Sequence, residues 1–171
     1  MQRLADFVIV PAGPGDAEAL ARVHVSSWRE TYPGLLPQAY LSAMSVEIHA
    51  HRFQRLIFSG VELVLAAEGP RGLVGYCGGA VSGASAEVST LYLLRKAQRH
   101  GVGRRLLSGM ARVLADRGAT SLRLWVLSGN TRAERFYAHL GGRSGQARQT
   151  RGWGPGFSEV PYEWPDISTL A

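Results

Sequence analysis

The chain has 171 residues, 46% of them hydrophobic and 19% charged, which suits one globular domain with a real core and excludes a disordered or fibrous chain. A lone cysteine, Cys77, rules out an internal disulfide and a cysteine metal cluster, and no apolar run approaches the ~18–20 residues of a membrane span. The formal net charge of +6, mostly arginine, favours anionic ligands, nucleotides and nucleic acid among them, without naming one.

Met1 to Val10 lacks a basic patch followed by a long apolar run, so no signal peptide is expected. Phe7-Val8-Ile9-Val10 is a short β-type run closed by Pro11. Gly13-Pro14-Gly15 breaks the chain, and Asp16 is the expected N-cap of a helix from Ala17 to Glu30, ended by Tyr32-Pro33-Gly34. Pro37 to Leu41 can form a short helical turn. Ser45 caps a further helix in which Ile48, Phe53, Leu56 and Ile57 make a loose apolar stripe. Trp28, Tyr32 and Tyr40 cluster around these turns.

From Val61 the period changes. Glu62 to Ala67 and Gly72 to Val81 read as strands of a hairpin across Gly69-Pro70-Arg71-Gly72. The glycines at 75, 78 and 79 predict a strand that is bulged or closely approached by another element. Glu87 to Leu94 is the third strand of the meander.

Gln98-Arg99-His100-Gly101-Val102-Gly103-Arg104 follows, opening a helix with Val102, Leu106, Met110, Val113 and Leu114 on one face and Gly118 past its end. Its glycines let the backbone turn and approach a ligand. The first free N–H groups of the helix and the positive end of its dipole face back at the loop. With Arg99, His100, Arg104 and Arg105 around it, this reads as a site for an anion such as a phosphate. Leu122 to Val126 alternates as a strand. Asn130 or Thr131 caps the next helix, Thr131 with Glu134 fitting a capping box, and Ala133, Phe136, Tyr137 and Leu140 form its inner stripe. Ser144 to Gly156 reads as a polar loop, and Phe157 to Trp164 as a strand whose Pro161 suggests an edge or a bulge. No ligand spacing among the five histidines suggests a metal.

The glycine loop lacks the third glycine of a dinucleotide fingerprint and the Gly-Lys-Ser/Thr of a Walker loop, and it follows a meander rather than an initial parallel strand. Gln98-x-x-Gly101-x-Gly103 between strand and helix instead resembles the acyl-CoA pyrophosphate loop of the Gcn5-related N-acetyltransferases. The second block, Asn130, Ala133, Phe136, Tyr137 and Leu140-Gly141 after a strand, matches the same family in order and spacing. Together they span roughly Ala86 to Gly142, and Trp28 to Pro37 resembles the opening helices of many small bacterial members. Arg95 departs from the pattern, since many members carry proline there.

That resemblance implies an α/β fold: a mixed, mostly antiparallel twisted sheet of about six to seven strands, flanked by about four helices, with a splayed strand pair gripping acyl-CoA. It implies direct transfer of an acetyl group from acetyl-CoA to an amine of a small molecule or peptide, without a metal. Leu93, Leu94 and Arg95 match the backbone that holds the pantetheine arm, with an oxyanion donor near Leu93 or Leu94. Arg99, His100, Gly101, Val102, Gly103 and Arg104 match the pyrophosphate segment. Asn130, a helix cap in its own right, matches an asparagine near the pantetheine. Tyr137 matches the general-acid tyrosine, and Glu87 matches the strand glutamate that one branch uses as base, where others use water chains. Trp28, Tyr32 and the loop from Arg148 to Phe157 are the acceptor-pocket candidates. A cytoplasmic protein with no membrane partner is expected, and a homodimer is an assembly that similar proteins adopt. The +6 charge keeps a tRNA-directed acetyltransferase or toxin as an alternative, although nucleic acid is not the expected partner. A non-catalytic acyl-CoA-binding module is the other alternative.

Overall fold

A computed structural model describes residues 7–150, 152 and 156–170. In chain order the strands and helices are β1 (Val8–Pro11), α1 (Ala17–Thr31), α2 (Gln38–Ala43), α3 (Val46–Ser59), β2 (Leu63–Gly69), β3 (Gly72–Ser82), β4 (Ser85–Leu93), α4 (Val102–Ala115), β5 (Ser121–Leu127), α5 (Thr131–His139), β6 (Arg143–Ser144), β7 (Arg148–Gln149) and β8 (Ser158–Trp164). The sheet runs β1-β2-β3-β4-β5-β8-β6, with β7 also on β8. Every pairing is antiparallel except β4 with β5, which α4 joins as a crossover. The expected mixed, mostly antiparallel sheet with flanking helices is therefore observed. β6 and β7 are two-residue pieces, the first ending at Ser144, where the expected loop begins, and the second inside that loop.

Each face of the sheet is covered. Leu20 and Val23 of α1 and Phe53 of α3 pack on Val64, Ala66 and Tyr76, while Leu106, Leu107, Met110 and Leu114 of α4 pack on Leu65, Cys77 and Val88. α5 joins the α4 side, where Tyr137 packs near Tyr162 and Trp164.

The helix ends follow local chemistry, with two corrections. Ser45 Oγ accepts the Ile48 N–H at 3.3 Å and Gly60 closes α3 in the left-handed region, φ +65°. Asp16 stands at the N-cap of α1 as expected, but its side chain makes no bond to the helix; its carboxylate accepts the Gly13 N–H at 2.8 Å and closes the preceding turn. Of the two caps expected for α5, Asn130 is the one used, its Oδ1 accepting the Ala133 N–H at 3.3 Å. The Thr131–Glu134 box is not formed, because Glu134 reaches past Thr131 to the Gly129 N–H at 3.2 Å.

Pro161 is also placed differently from the expectation. β8 lies between β5 and the short pair β6 and β7, so it is not an edge. β6 pairs with Tyr162 and Glu163, and β7 with Ser158 and Glu159, leaving Pro161 opposite the gap between them. A residue without an N–H fits that interruption.

The feature that positions a site is the parting of β4 and β5. Their ladder ends at the pair Val88 and Leu124, yet β4 continues on β3 to Leu93 and β5 continues on β8 to Leu127. The parting coincides with a bulge. Gly78 pairs with Thr90 and Gly79 with Val88, so Ser89 is the extra residue of β4. A bulge bends its strand, and here it turns β4 away from β5. Gly78 is required at that point, since a Cβ there would lie 2.6 Å from Thr90 Oγ1.

Candidate functional site

Between the diverging strands lies a cavity of about 750 Å³, walled by β4 from Val88 to Leu93, by β5 from Leu124 to Leu127, and by the start of α4 and α5. One end is cationic. Arg99, Arg104, Arg132 and Arg135 line it, and no carboxylate among the described residues does. α4 begins there with no side-chain cap, and its first turn closes through the Arg105 N–H to the Gly101 carbonyl. The preceding N–H groups have no acceptor inside the helix and face the loop.

The two loop glycines do different jobs. Gly101 sits at φ +76°, in the left-handed region, directly after Arg99 and His100, of which Arg99 is itself at φ +64°. Gly103 is already helical; a Cβ there would lie 3.0 Å from Leu93 Cδ1 and 3.3 Å from Phe136 Cζ. It lets α4 press against β4 and α5.

Along the β4 wall the backbone is open. The Leu94 N–H donates to the Val74 carbonyl at 2.8 Å, so it faces β3. By strand alternation Leu91 and Leu93 turn their backbone groups the other way, into the cavity that both line. The Leu93 carbonyl accepts from Gln98 Nε2 at 3.1 Å. Leu94 is therefore not available as a donor to a ligand in the cleft. Arg95 is also occupied elsewhere: its N–H donates to Glu30 Oε2 at 2.7 Å and its guanidinium to the Glu30 carbonyl at 3.0 Å. A proline there would lose that N–H bond, which ties the end of β4 to the end of α1.

Of the remaining residues expected from sequence, Arg99, Gly101, Gly103, Arg104, Leu93, Asn130, Tyr32 and Tyr137 all line the one cavity. Val102 turns its side chain into the core, and the His100 ring lies 6.2 Å from that of Phe7. Trp28 stands behind the wall, its ring 5.0 Å from Tyr32 and 5.7 Å from Tyr92. Glu87 is not brought to the cleft. It lies on the paired part of β4, its side chain 52% exposed and 3.7 Å from Arg123.

Tyr137 is 7% exposed, and burial, followed by the Cys77 and Tyr32 charges, pushes its phenol well above the usual tyrosine range. It therefore keeps its proton at neutral pH. Tyr32 is also raised by burial, with Tyr92 and Asn130 as side-chain partners; its Oη is 3.3 Å from that of Tyr92. Behind this wall His24 Nδ1 lies 2.6 Å from Tyr76 Oη. Burial, with His49 and Arg52 adding to it, lowers His24 to about 3, so its imidazole is neutral.

Sequence reading passed over Tyr92, Trp125 and the arginines of α5. Trp125 lines the cavity with Arg148 stacked 3.3 Å from its ring centroid, and its buried Nε1 has no hydrogen-bond partner among the described residues. Alternation along β5 places Trp125 opposite the apolar face, but only the parting of the strands makes that a ligand-facing position.

A cationic helix N-terminus leading into an open strand edge and then to a buried phenol defines a site for an extended phosphorylated ligand. Residues 21–141 match the profile of the Acetyltransferase (GNAT) family. The chain is 30% identical to the uncharacterized N-acetyltransferase YuaI of Bacillus subtilis, over 91% of each protein. It is 27% identical to a probable N-acetyltransferase of Mycobacterium tuberculosis, over 78% of this chain and 80% of that one. Among solved structures, PaiA N-acetyltransferase from Thermoplasma acidophilum in complex with coenzyme A superposes with a TM-score of 0.75 at 23% identity, covering 92% of this chain and 99% of PaiA. YncA from Salmonella typhimurium, a putative acetyltransferase with acetyl-CoA, gives 0.70 at 18% identity over 94% of each chain. The chain belongs to the GNAT family and is an acyltransferase.

Proposed function

We propose that this protein transfers an acetyl group from acetyl-CoA to the amine of a small molecule or peptide, by direct attack within the β4–β5 cleft. The observation that carries the reading is continuity. The uncapped start of α4 with its arginines, the cleft-facing edge of β4 at Leu91 and Leu93, and the Tyr137 phenol all open on one cavity. These residues fit acetyl-CoA. Arg99, Arg104 and the α4 N–H groups would hold the pyrophosphate, and the β4 edge and Asn130 the pantetheine arm. When bound, the thioester supplies an activated acyl carbon.

The protein's own contribution is positioning and proton transfer. The acceptor must lose its ammonium proton to expose a lone pair, because an alkyl amine resembles lysine, pKa ~10.4. As the C–N bond forms and the C–S bond breaks, the electron pair leaves with sulfur, which takes the Tyr137 proton. The acceptor sheds two protons in all and Tyr137 regains one from solvent, so one proton is released per turnover. Tyr32, Tyr92 and Trp125 are the walls that an acceptor would meet. The test is release of free CoA from acetyl-CoA across a panel of amines, with the acetylated product identified by mass. Binding of acetyl-CoA without turnover of any amine would leave only an acyl-CoA-binding module.

A further inference from the structure

The proposed reaction needs a group that removes the acceptor's proton, and three carboxylates on the elements around the cleft are otherwise engaged. Glu87 pairs with Arg123, Glu159 with Arg148, and Glu30 with the Arg95 backbone. Glu62 is different. It stands just before β2, two strands away from β4, on the sheet face that carries α1 and α3. Its side chain crosses over Gly78, where a Cβ would lie 3.3 Å from Glu62 Oε2, and accepts a hydrogen bond from Ser89 Oγ at 3.0 Å. Ser89 is the bulge residue at the parting of β4 and β5, and it lines the cavity. The second oxygen near Ser89 Oγ is the Gly78 carbonyl, at 3.4 Å. The groups around Glu62 are Ser89 and the buried Tyr76 and Cys77, which feel its charge; among the described residues no arginine or lysine is paired with it.

We infer that Ser89 and Glu62 form the proton outlet for the acceptor amine: Ser89 Oγ takes the proton at the apex of the cleft and Glu62 receives it from behind. In the step, an N–H bond of the ammonium breaks and its electron pair stays on nitrogen. That proton joins Ser89 Oγ as the serine's own proton passes to Glu62 Oε2. Glu62 is half-buried rather than sealed, so it returns the proton to solvent. Ser89 is the residue that meets the amine, and Glu62 is a positioning residue acting through it. Gly78 of β3 thereby gains a reason: any side chain there would meet Thr90, Ser89 and the Glu62 carboxylate together.

This inference rests on the amine-acetyltransferase reading above, and the two fail differently. Glu62→Gln keeps an acceptor for the Ser89 hydroxyl but cannot take its proton. With a working alkylamine at pH 7, E62Q is expected to lower kcat/KM about 100-fold, the scale of a lost general base. Its deficit should shrink as pH rises toward the amine's own pKa, and shrink with an amine already neutral at pH 7. Ser89→Ala should show the same pattern. Acetyl-CoA affinity and Tm should match wild type in both variants. Independently of turnover, the Glu62 carboxyl 13C resonance should move when the amine is added to the CoA-bound protein, and stay still in S89A. An E62Q rate equal to wild type, a deficit that ignores pH and amine basicity, or a motionless Glu62 resonance overturns the outlet while leaving the transferase reading intact. No turnover of any amine by wild type overturns both.

Discussion

Arg132, in the first turn of α5, donates to Gln98 Oε1 while Gln98 Nε2 holds the Leu93 carbonyl, so one side chain links the end of β4, the loop before α4, and α5. The two sequence blocks are thus in physical contact at the mouth of the cleft. A hydrogen bond to a charged group contributes about 1.5–3 kcal/mol. Gln98→Ala should therefore weaken acetyl-CoA binding about tenfold by calorimetry. In a double-mutant cycle R132A should add less on top of Q98A than it costs alone. Full additivity would mean the contact does not hold the site.

Gly103→Ala and Gly101→Ala should weaken acetyl-CoA binding for different reasons. The first forces Leu93 and Phe136 apart by tenths of an ångström, so it should also lower thermal stability, by about 1–3 kcal/mol on the scale of overpacking. The second puts a Cβ at φ +76° and should cost about 1–2 kcal/mol. Crystals of G103A should show Phe136 displaced, and those of G101A a changed loop.

His24 makes stability depend on pH. Its folded value is depressed to about 3 from 6.5, so between those values the unfolded chain binds more protons than the folded one. The contribution is complete above pH 6.5 and is lost as pH falls toward 3, at up to about 1.4 kcal/mol per pH unit. Chemical denaturation from pH 7.5 to 4.5 should show this slope. His24→Gln should flatten it, at the cost of a lower stability at pH 7.

Glu87→Gln should change kcat/KM by no more than about twofold, as for a surface substitution. Its partner Arg123 is half-exposed and also 3.7 Å from Glu163, so the stability change should stay below about 1 kcal/mol. A large loss of activity in E87Q would return the base's role to this residue.

Much of this was legible from residue pattern. The hairpin at Gly69 to Gly72, the Ser45 cap and the apolar face of α4 are local, and each appears where side-chain spacing put it. The Gln98–Arg104 glycine loop and the Asn130–Tyr137 block were legible for the same reason, as contiguous motifs. What escaped depends on partners distant in sequence. Asp16 holds the expected N-cap position, but its carboxylate serves the Gly13 N–H instead of the helix, and Pro161 could be placed only once β6 and β7 were seen to leave a gap. Ser89 has no local mark as a bulge; the extra residue exists only relative to Gly78 and Gly79. Glu87 and Glu62 look alike in sequence, and tertiary pairing sends one to Arg123 and the other to the cleft wall.

The central claim is that the β4–β5 cleft carries out acetyl transfer with Tyr137 as proton donor, and kcat of Tyr137→Phe tests it most directly. The ring is kept, so acetyl-CoA affinity should hold while kcat falls about 100-fold, the usual loss for a general acid. A Y137F enzyme with wild-type kcat would contradict the account.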